Sequence, residues 1–177
     1  QLAETAMALA QDDSTRAYVI TSALMALWRP EDAGQRLELS SEIVELGTRL
    51  RNDGLRLNGL FWRIQTHAEL GDAVGIETDV REYERRSERR PVVYARWSLH
   101  LLRVLRALLV GDVREGRRLA ELALELGESH DNPNALQVFA IQSIGLARLE
   151  GSVDQLLGLG GSVLEQYPNV WAWRAIF

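Results

Sequence analysis

The chain has 177 residues, a formal net charge of −5 and no cysteine, with 46% hydrophobic and 25% charged residues. The lack of cysteine excludes disulfides and thiolate metal sites. The modest negative charge argues against direct nucleic-acid binding, because phosphate recognition needs a clustered basic excess. No apolar run approaches the roughly 20 residues of a membrane span, and the N-terminus lacks the layout of a secretion signal. We expect a cytoplasmic globular protein.

Both ends of the sequence fall within apolar helical patterns. Gln1 is followed at once by such a pattern, and Phe177 ends another. A helical solenoid usually ends in a cap with a polar outer face, which neither end resembles. We therefore expect residues 1–177 to form a single helical repeat domain that is an excerpt of a longer protein.

Turn signals recur at a fixed spacing of 40 residues, at Gly71-Asp72, Gly111-Asp112 and Gly151-Ser152, with Pro30 near the equivalent earlier position. Glycine suits the end of a helix and proline its start. Three columns keep the same register: Ala33, Ala73, Val113 and Val153; Leu24, Ile64, Val104 and Ile144; Ser40, Val80, Ala120 and Gly160. Agreement of several columns at one offset indicates an internal repeat.

The elements predicted in chain order are paired helices. Residues 1–11 form the end of an earlier second helix. Complete hairpins then follow at about 14–48 (helices 14–28 and 32–48), 55–88 (55–70 and 72–88), 92–127 (92–109 and 112–127) and 134–166 (134–149 and 152–166). Residues 169–177 begin another first helix. No segment has the sustained two-residue alternation of a strand, so no sheet is predicted.

The first helix of the third hairpin carries more apolar residues than one partner helix can cover, among them Trp97, Leu101 and Leu105. Neighbouring hairpins on both sides can cover them. The predicted fold is all-α: an α–α solenoid, or superhelix, of about four tandem antiparallel hairpins.

The second helix of the third hairpin resembles that of a tetratricopeptide repeat, with its Gly111-Asp112 turn followed by Gly116, Ala120 and Ala123. The 40-residue period is longer than the usual ~34 residues of that repeat. Over about 14–177 the chain is similar to the tetratricopeptide-like, MalT-like region of large actinobacterial regulators: signal-transduction ATPases and transcriptional regulators of the LuxR family. This resemblance implies a regulatory scaffold whose ATPase and DNA-binding parts lie elsewhere in the parent protein.

Arginines form the main candidate site. Arg16, Arg56 and Arg96 lie one period apart, as do Arg63 and Arg103, and Arg96, His100, Arg103 and Arg106 share roughly one helix face. Guanidinium groups suit carboxylates and phosphates. The tentative partner-binding residues are Arg56, Arg63, Arg96, His100, Arg103 and Arg106, for an acidic peptide, a partner protein or another domain of the parent chain. The alternative is a solvated face paired with acidic residues of the next helix.

The tryptophans have two interpretations. Trp28, Trp62 and Trp97 lie on apolar first helices and are predicted to be core residues, although aromatic residues also anchor interfaces. Trp171 and Trp173 lie in an incomplete hairpin and could support a homodimer through exposed hairpin ends.

Other patterns carry weaker signals. The histidines His67, His100 and His130 lack the convergent spacing of a metal site. The glycine-rich segment 157–162 lacks the strand and lysine of a phosphate loop and is predicted to be a loosened helix. The mixed-charge run 82–90 is predicted to be a solvated helix end.

No catalytic constellation is visible, and no cofactor or metal is predicted. The leading hypothesis is a non-catalytic interaction scaffold of a regulator. The alternatives are a structural spacer or self-association module without a ligand, and, more distantly, a helical enzyme.

Overall fold

The computed structural model describes residues 2–27, 29–89 and 92–169, and every regular element in these ranges is helical. The prediction of an all-α fold is therefore confirmed. No helix in the described ranges combines the length and the apolar character that a membrane crossing demands.

The helices follow the repeat in chain order. Their bounds are α1 Leu2–Leu9, α2 Asp13–Ala26, α3 Ala33–Arg49, α4 Asp53–Leu70, α5 Ala73–Arg89, α6 Val93–Val110, α7 Val113–Glu128, α8 Ala135–Glu150 and α9 Leu157–Gln166, with 3-10 turns at Pro30–Asp32 and Val153–Leu156. The starts of α2, α4 and α6 fall at 13, 53 and 93, so they keep the period found in the sequence.

One predicted boundary is wrong. The pattern predicts a helix over 152–166, but this segment begins with the 3-10 turn and becomes α-helical only at Leu157. Three glycines in the segment weaken it as a helix, because glycine loses more backbone freedom on folding than other residues. Of the further helix predicted over 169–177, residues 170–177 lie outside the described part of the chain.

The hairpin turns work as paired stop and start signals. The glycines at the turns adopt positive φ angles: Gly71 at 71°, Gly111 at 72° and Gly151 at 69°. Glycine enters this left-handed region without steric cost, which ends the first helix. Asp72 then accepts a hydrogen bond from the N–H of Gly75 (2.9 Å), and Asp112 accepts one from the N–H of Glu115 (3.1 Å). These caps start the second helices.

The chain divides into two compact units, residues 1–95 and 96–177. In the first unit, α1 to α5 pack in chain order, each against the next. A core cluster joins α2, α3 and α4, and it contains Ala17, Ile20, Leu24, Leu39, Ile43, Leu46 and Trp62. Trp62 is therefore a core residue, as predicted.

In the second unit, α7 packs on α8, and α8 packs on α9. One core cluster joins Val104 of α6 to Leu119, Ala120 and Leu146, and another joins Ala140 to Val163. Trp97 is 5% exposed, which agrees with its predicted place in the core. Trp28, Trp171 and Trp173 lie outside the described residues.

An arginine ties the first complete hairpin to the second. Arg36 on α3 is only 1% exposed, and its guanidinium donates to the carbonyl oxygens of Leu27 (2.6 Å) and Arg29 (2.8 Å) and to the carboxylate of Glu69 near the end of α4. A buried guanidinium is tolerated only when its N–H groups find acceptors. This tie therefore fixes three chain segments together.

The second unit repeats the arrangement. Arg117 on α7 pairs with Glu150 at the end of α8, 33 residues further along the chain, which is the separation between Arg36 and Glu69. The Arg117 pair lies at the surface, with side-chain exposures of 40% and 36%. This pair is therefore expected to contribute less to the free energy of unfolding than the contacts of the buried Arg36.

A glycine allows α7 and α8 to approach closely. A Cβ atom at Gly127 would lie 2.5 Å from the Cβ of Ala135 and 3.1 Å from Nε1 of Trp97. Ala135 is 3% exposed, at the start of α8. Only glycine fits at this position without moving a helix.

We predict that Arg36→Met lowers the free energy of unfolding by about 1–3 kcal/mol, because the carbonyl groups of Leu27 and Arg29 and the carboxylate of Glu69 lose the donor that Arg36 supplies. Glu69→Gln, the matched variant, should cost less than about 1 kcal/mol, since Glu69 is 42% exposed and an amide oxygen still accepts a hydrogen bond. Urea unfolding measures both values. Equal losses in the two variants would show that the contacts of Arg36 with the two carbonyl groups contribute nothing.

We also predict opposite effects at two glycines. Gly127→Ala should destabilise the chain by about 1–3 kcal/mol, because the added methyl group overlaps Ala135. Gly161→Ala should stabilise it by about 0.5–1 kcal/mol, since this exposed helical position has open space around it. Thermal unfolding of both variants gives the comparison, and a stabilised Gly127→Ala would contradict the described packing.

Candidate functional site

The predicted arginine site divides between the two units. Arg56 and Arg63 lie on α4 in the first unit, whereas Arg96, His100, Arg103 and Arg106 all lie on α6 in the second.

Arg63 has an internal partner. Its guanidinium makes two hydrogen bonds to the carboxylate of Asp79 on α5, at 2.5 and 2.6 Å, and Asp79 is only 4% exposed. Nε2 of His67 lies 3.6 Å from the same carboxylate. This two-pronged contact leaves Arg63 engaged in joining α4 to α5.

Arg56 is also used inside the first unit. Its side chain is 17% exposed, and it donates to Asp53 and to the carbonyl oxygen of Thr48, both at 3.3 Å. Arg16, one period earlier, binds Glu42 on α3 and the carbonyl oxygen of Met7. For the arginines of the first unit, these contacts favour the alternative interpretation, in which the basic residues bind acceptors within the protein.

On α6, by contrast, the basic residues form a stripe on the helix surface. Arg96, His100 and Arg103 follow one another at the spacing of one helix face, between residues that are buried. Arg96 is exposed and makes no hydrogen bond or ion pair with any other described residue. We call Arg96, His100, Arg103 and Arg106 the α6 stripe.

The pKa of His100 depends on its burial and on the charges of the arginines around it. Its pKa is lowered from the ordinary 6.5, first by burial and then by the charges of Arg103, Arg96 and Arg118. Nδ1 of the ring is buried and has no hydrogen-bond partner among the described residues. The imidazole is therefore mainly neutral at pH 7, although the groups around it are cationic.

A groove of about 290 Å³ lies beside the stripe, lined by Arg103, Arg106, Ala107, Val110, Asp112, Glu115 and Leu119. The end of α6 adds exposed apolar surface, since Leu109 is 53% and Val110 79% exposed. The groove therefore combines guanidinium groups with apolar contact area.

The two carboxylates of the groove are already held by the protein. Asp112 caps α7, and both oxygens of Glu115 bind Arg118, at 2.8 and 2.6 Å. The hydrogen bond from Arg118 is the main cause that lowers the pKa of Glu115. Both carboxylates are therefore engaged inside the protein, next to the guanidinium groups that line the groove.

Sequence reasoning missed Arg118 and the exposed Val110. Arg118 is on α7, and its influence on His100 depends on how α7 folds back beside α6, which no periodicity within one helix reveals. The signal available in the sequence was the apolar pair that follows it, Leu119 and Ala120. Both are buried, and Arg118 faces outwards. Nothing in the sequence indicated that Val110, just before the Gly-Asp turn, would be exposed.

The arrangement suits the binding of anions. Guanidinium groups on neighbouring turns can hold carboxylate or phosphate oxygens, and the adjacent apolar surface can take an aliphatic or aromatic side chain. Among the described residues, no group of three histidine, aspartate or glutamate side chains is placed to hold a metal ion.

We predict that His100 makes the chain less stable in mild acid. The unfolded chain binds a proton near pH 6.5, whereas the folded chain binds it only at lower pH. The stability from this group is therefore full above about pH 6.5 and is lost as the pH falls through the lowered folded value. In His100→Gln, the urea midpoint should fall less between about pH 7.5 and 5.5 than in the parent. His130→Gln, at an exposed loop position, is the matched control, and an unchanged slope in His100→Gln would refute the prediction.

Compared with models of protein families, with curated proteins and with solved structures, the chain has no match.

Proposed function

We propose that this chain is a non-catalytic helical-repeat scaffold that holds an acidic segment of a partner protein, or of another domain of its own parent, on the α6 stripe. The observation that carries the proposal is the exposed guanidinium of Arg96, which makes no hydrogen bond or ion pair with another described residue and shares one face of α6 with His100 and Arg103. Exposed cationic side chains attract anions and speed their association.

The rest of the surface favours a peptide over a bare ion. The groove beside Arg103 and Arg106 has Ala107, Val110 and Leu119 in its lining, and Leu109 extends the apolar area. An acidic segment with an interspersed apolar residue complements both features. Apolar burial would supply affinity, and the charges would supply orientation.

We further propose that the repeated hairpins stack as a solenoid, resembling the tetratricopeptide-like region of MalT-like and LuxR-family regulators, and that the chain acts in the cytoplasm. The starts of six helices keep the 40-residue period, and two arginine ties share a separation of 33 residues. A scaffold of this kind regulates its parent when a partner prefers one of two states of that parent.

A rigid spacer is the second candidate. The buried tie at Arg36 favours it, because such contacts resist bending between successive hairpins. The two functions differ in whether the α6 stripe binds an acidic probe.

The test is calorimetric binding of a peptide of alternating aspartate and leucine at low ionic strength. We expect the parent chain to bind it and Arg96→Glu with Arg103→Glu to lose about tenfold or more in affinity. The charge-matched control is Arg81→Glu with Arg85→Glu, two exposed positions on α5, which should keep the affinity within about threefold.

Folding is checked separately by thermal unfolding of each variant. Arg96→Glu alone changes an exposed residue without an ion pair among the described residues, so it tests the stripe if the double variant is unstable. Equal losses in the α5 control, or no binding by the parent, would overturn the scaffold proposal and leave the spacer.

A further inference from the structure

The inference concerns how the proposed site is regulated, and it rests on the proposed function. His100 lies in the middle of the α6 stripe, one helical turn from Arg96 on one side and from Arg103 on the other. Its ring is partly buried, and Nδ1 has no hydrogen-bond partner among the described residues. Nδ1 is therefore a ring nitrogen whose hydrogen-bonding capacity is unused among the described residues, and the ring lies within a basic surface.

The charges that act on the ring come from two helices. Arg96 and Arg103 act from α6, and Arg118 acts from α7, where it binds Glu115. No carboxylate appears among the charges that shift this histidine in the described part of the chain. Burial is the main cause that lowers the pKa of the imidazole, and the charge of each of these arginines lowers it further.

We propose that His100 takes up a proton when an anionic peptide binds along Arg96 and Arg103, so that the α6 stripe holds acidic partners more tightly in mild acid than at neutral pH. The occupant is a carboxylate-bearing peptide, because the groove beside the stripe also offers apolar contacts at Val110 and Leu119.

The balance of the step is simple. Carboxylates that pair with the arginines reduce the positive potential at the ring, and their own negative charge favours an imidazolium ion. One proton moves from the buffer to the imidazole, and no covalent bond other than N–H changes. The imidazolium then adds a positive charge to the stripe, where the neutral ring adds none.

Linkage fixes the direction of the effect. If the peptide raises the affinity of His100 for a proton, the proton raises the affinity for the peptide by the same factor. The aspartates of the peptide stay ionised at about pH 5.5, because their ordinary pKa is near 3.9. A gain in affinity at that pH therefore cannot come from the aspartates.

The experiment is calorimetry with the aspartate–leucine peptide at about pH 5.5 and 7.5, in pairs of buffers that differ in ionisation enthalpy. We expect about three- to tenfold tighter binding at the lower pH, since one pKa unit of coupling corresponds to a factor of ten. We also expect uptake of a fraction of one proton per peptide near pH 6.5. In His100→Gln, the proton uptake and the gain in affinity between about pH 7.5 and 5.5 should both be lost, whatever its affinity at about pH 7.5.

A second measurement does not use the peptide. Proton NMR follows the titration of the His100 ring in the free chain and in Arg103→Gln, with thermal unfolding as the folding check. Removal of this charge should move the midpoint to higher pH, as a bound carboxylate would. An unchanged midpoint in the folded variant overturns the inference.

The outcomes separate the two proposals. Peptide binding without proton uptake, or a pH dependence that persists in His100→Gln, overturns the inference and leaves the proposed function standing. No binding at either pH overturns the proposed function, and the inference falls with it. Binding with a proton uptake that His100→Gln removes supports both.

Discussion

The first unit depends on a guanidinium that is almost completely removed from water. Arg36 reaches back to the segment before its own helix and forward to the end of α4, so one side chain connects two hairpins that could otherwise slide along their apolar faces. Apolar contacts are not directional, whereas a guanidinium has a fixed fork of donors. The apolar columns provide most of the burial, and the ionic tie defines the register between neighbours.

The same residue type has different roles in the two units, and its surroundings decide which. In the first unit Arg16, Arg56 and Arg63 each have an acceptor on a neighbouring segment. On α6 the exposed Arg96 has no such acceptor among the described residues. The functional proposal follows from this contrast, because a basic residue without an internal partner remains available to an external anion.

Much of the helical layout could be predicted from the sequence because its determinants are local. Gly71 and Gly111 end helices through their positive φ angles, and Asp72 and Asp112 start the next ones through side-chain caps. These interactions join residues a few positions apart, and equivalent residues recur in successive repeats. The late start of α9 was missed, since helix strength in a glycine-rich segment is a balance of small terms.

The composition of the candidate site was harder to predict. Arg63 and Asp79 are separated by a whole turn between helices, so a one-dimensional pattern cannot distinguish a bound arginine from an open one. The equally spaced arginines singled out in the sequence therefore include both residues that bind within the protein, such as Arg63, and the exposed Arg96. Arg118 escaped notice for the same reason, as its influence on His100 arises between helices.

The basic side of every tie described here is a guanidinium, and the sequence contains no lysine. An ammonium group loses its charge near pH 10.4, whereas arginine keeps its charge throughout the range in which proteins are handled. In alkaline solution the guanidinium side of the ties between hairpins therefore keeps its charge. The repeat is built to tolerate alkali better than acid, where its carboxylates begin to be neutralised.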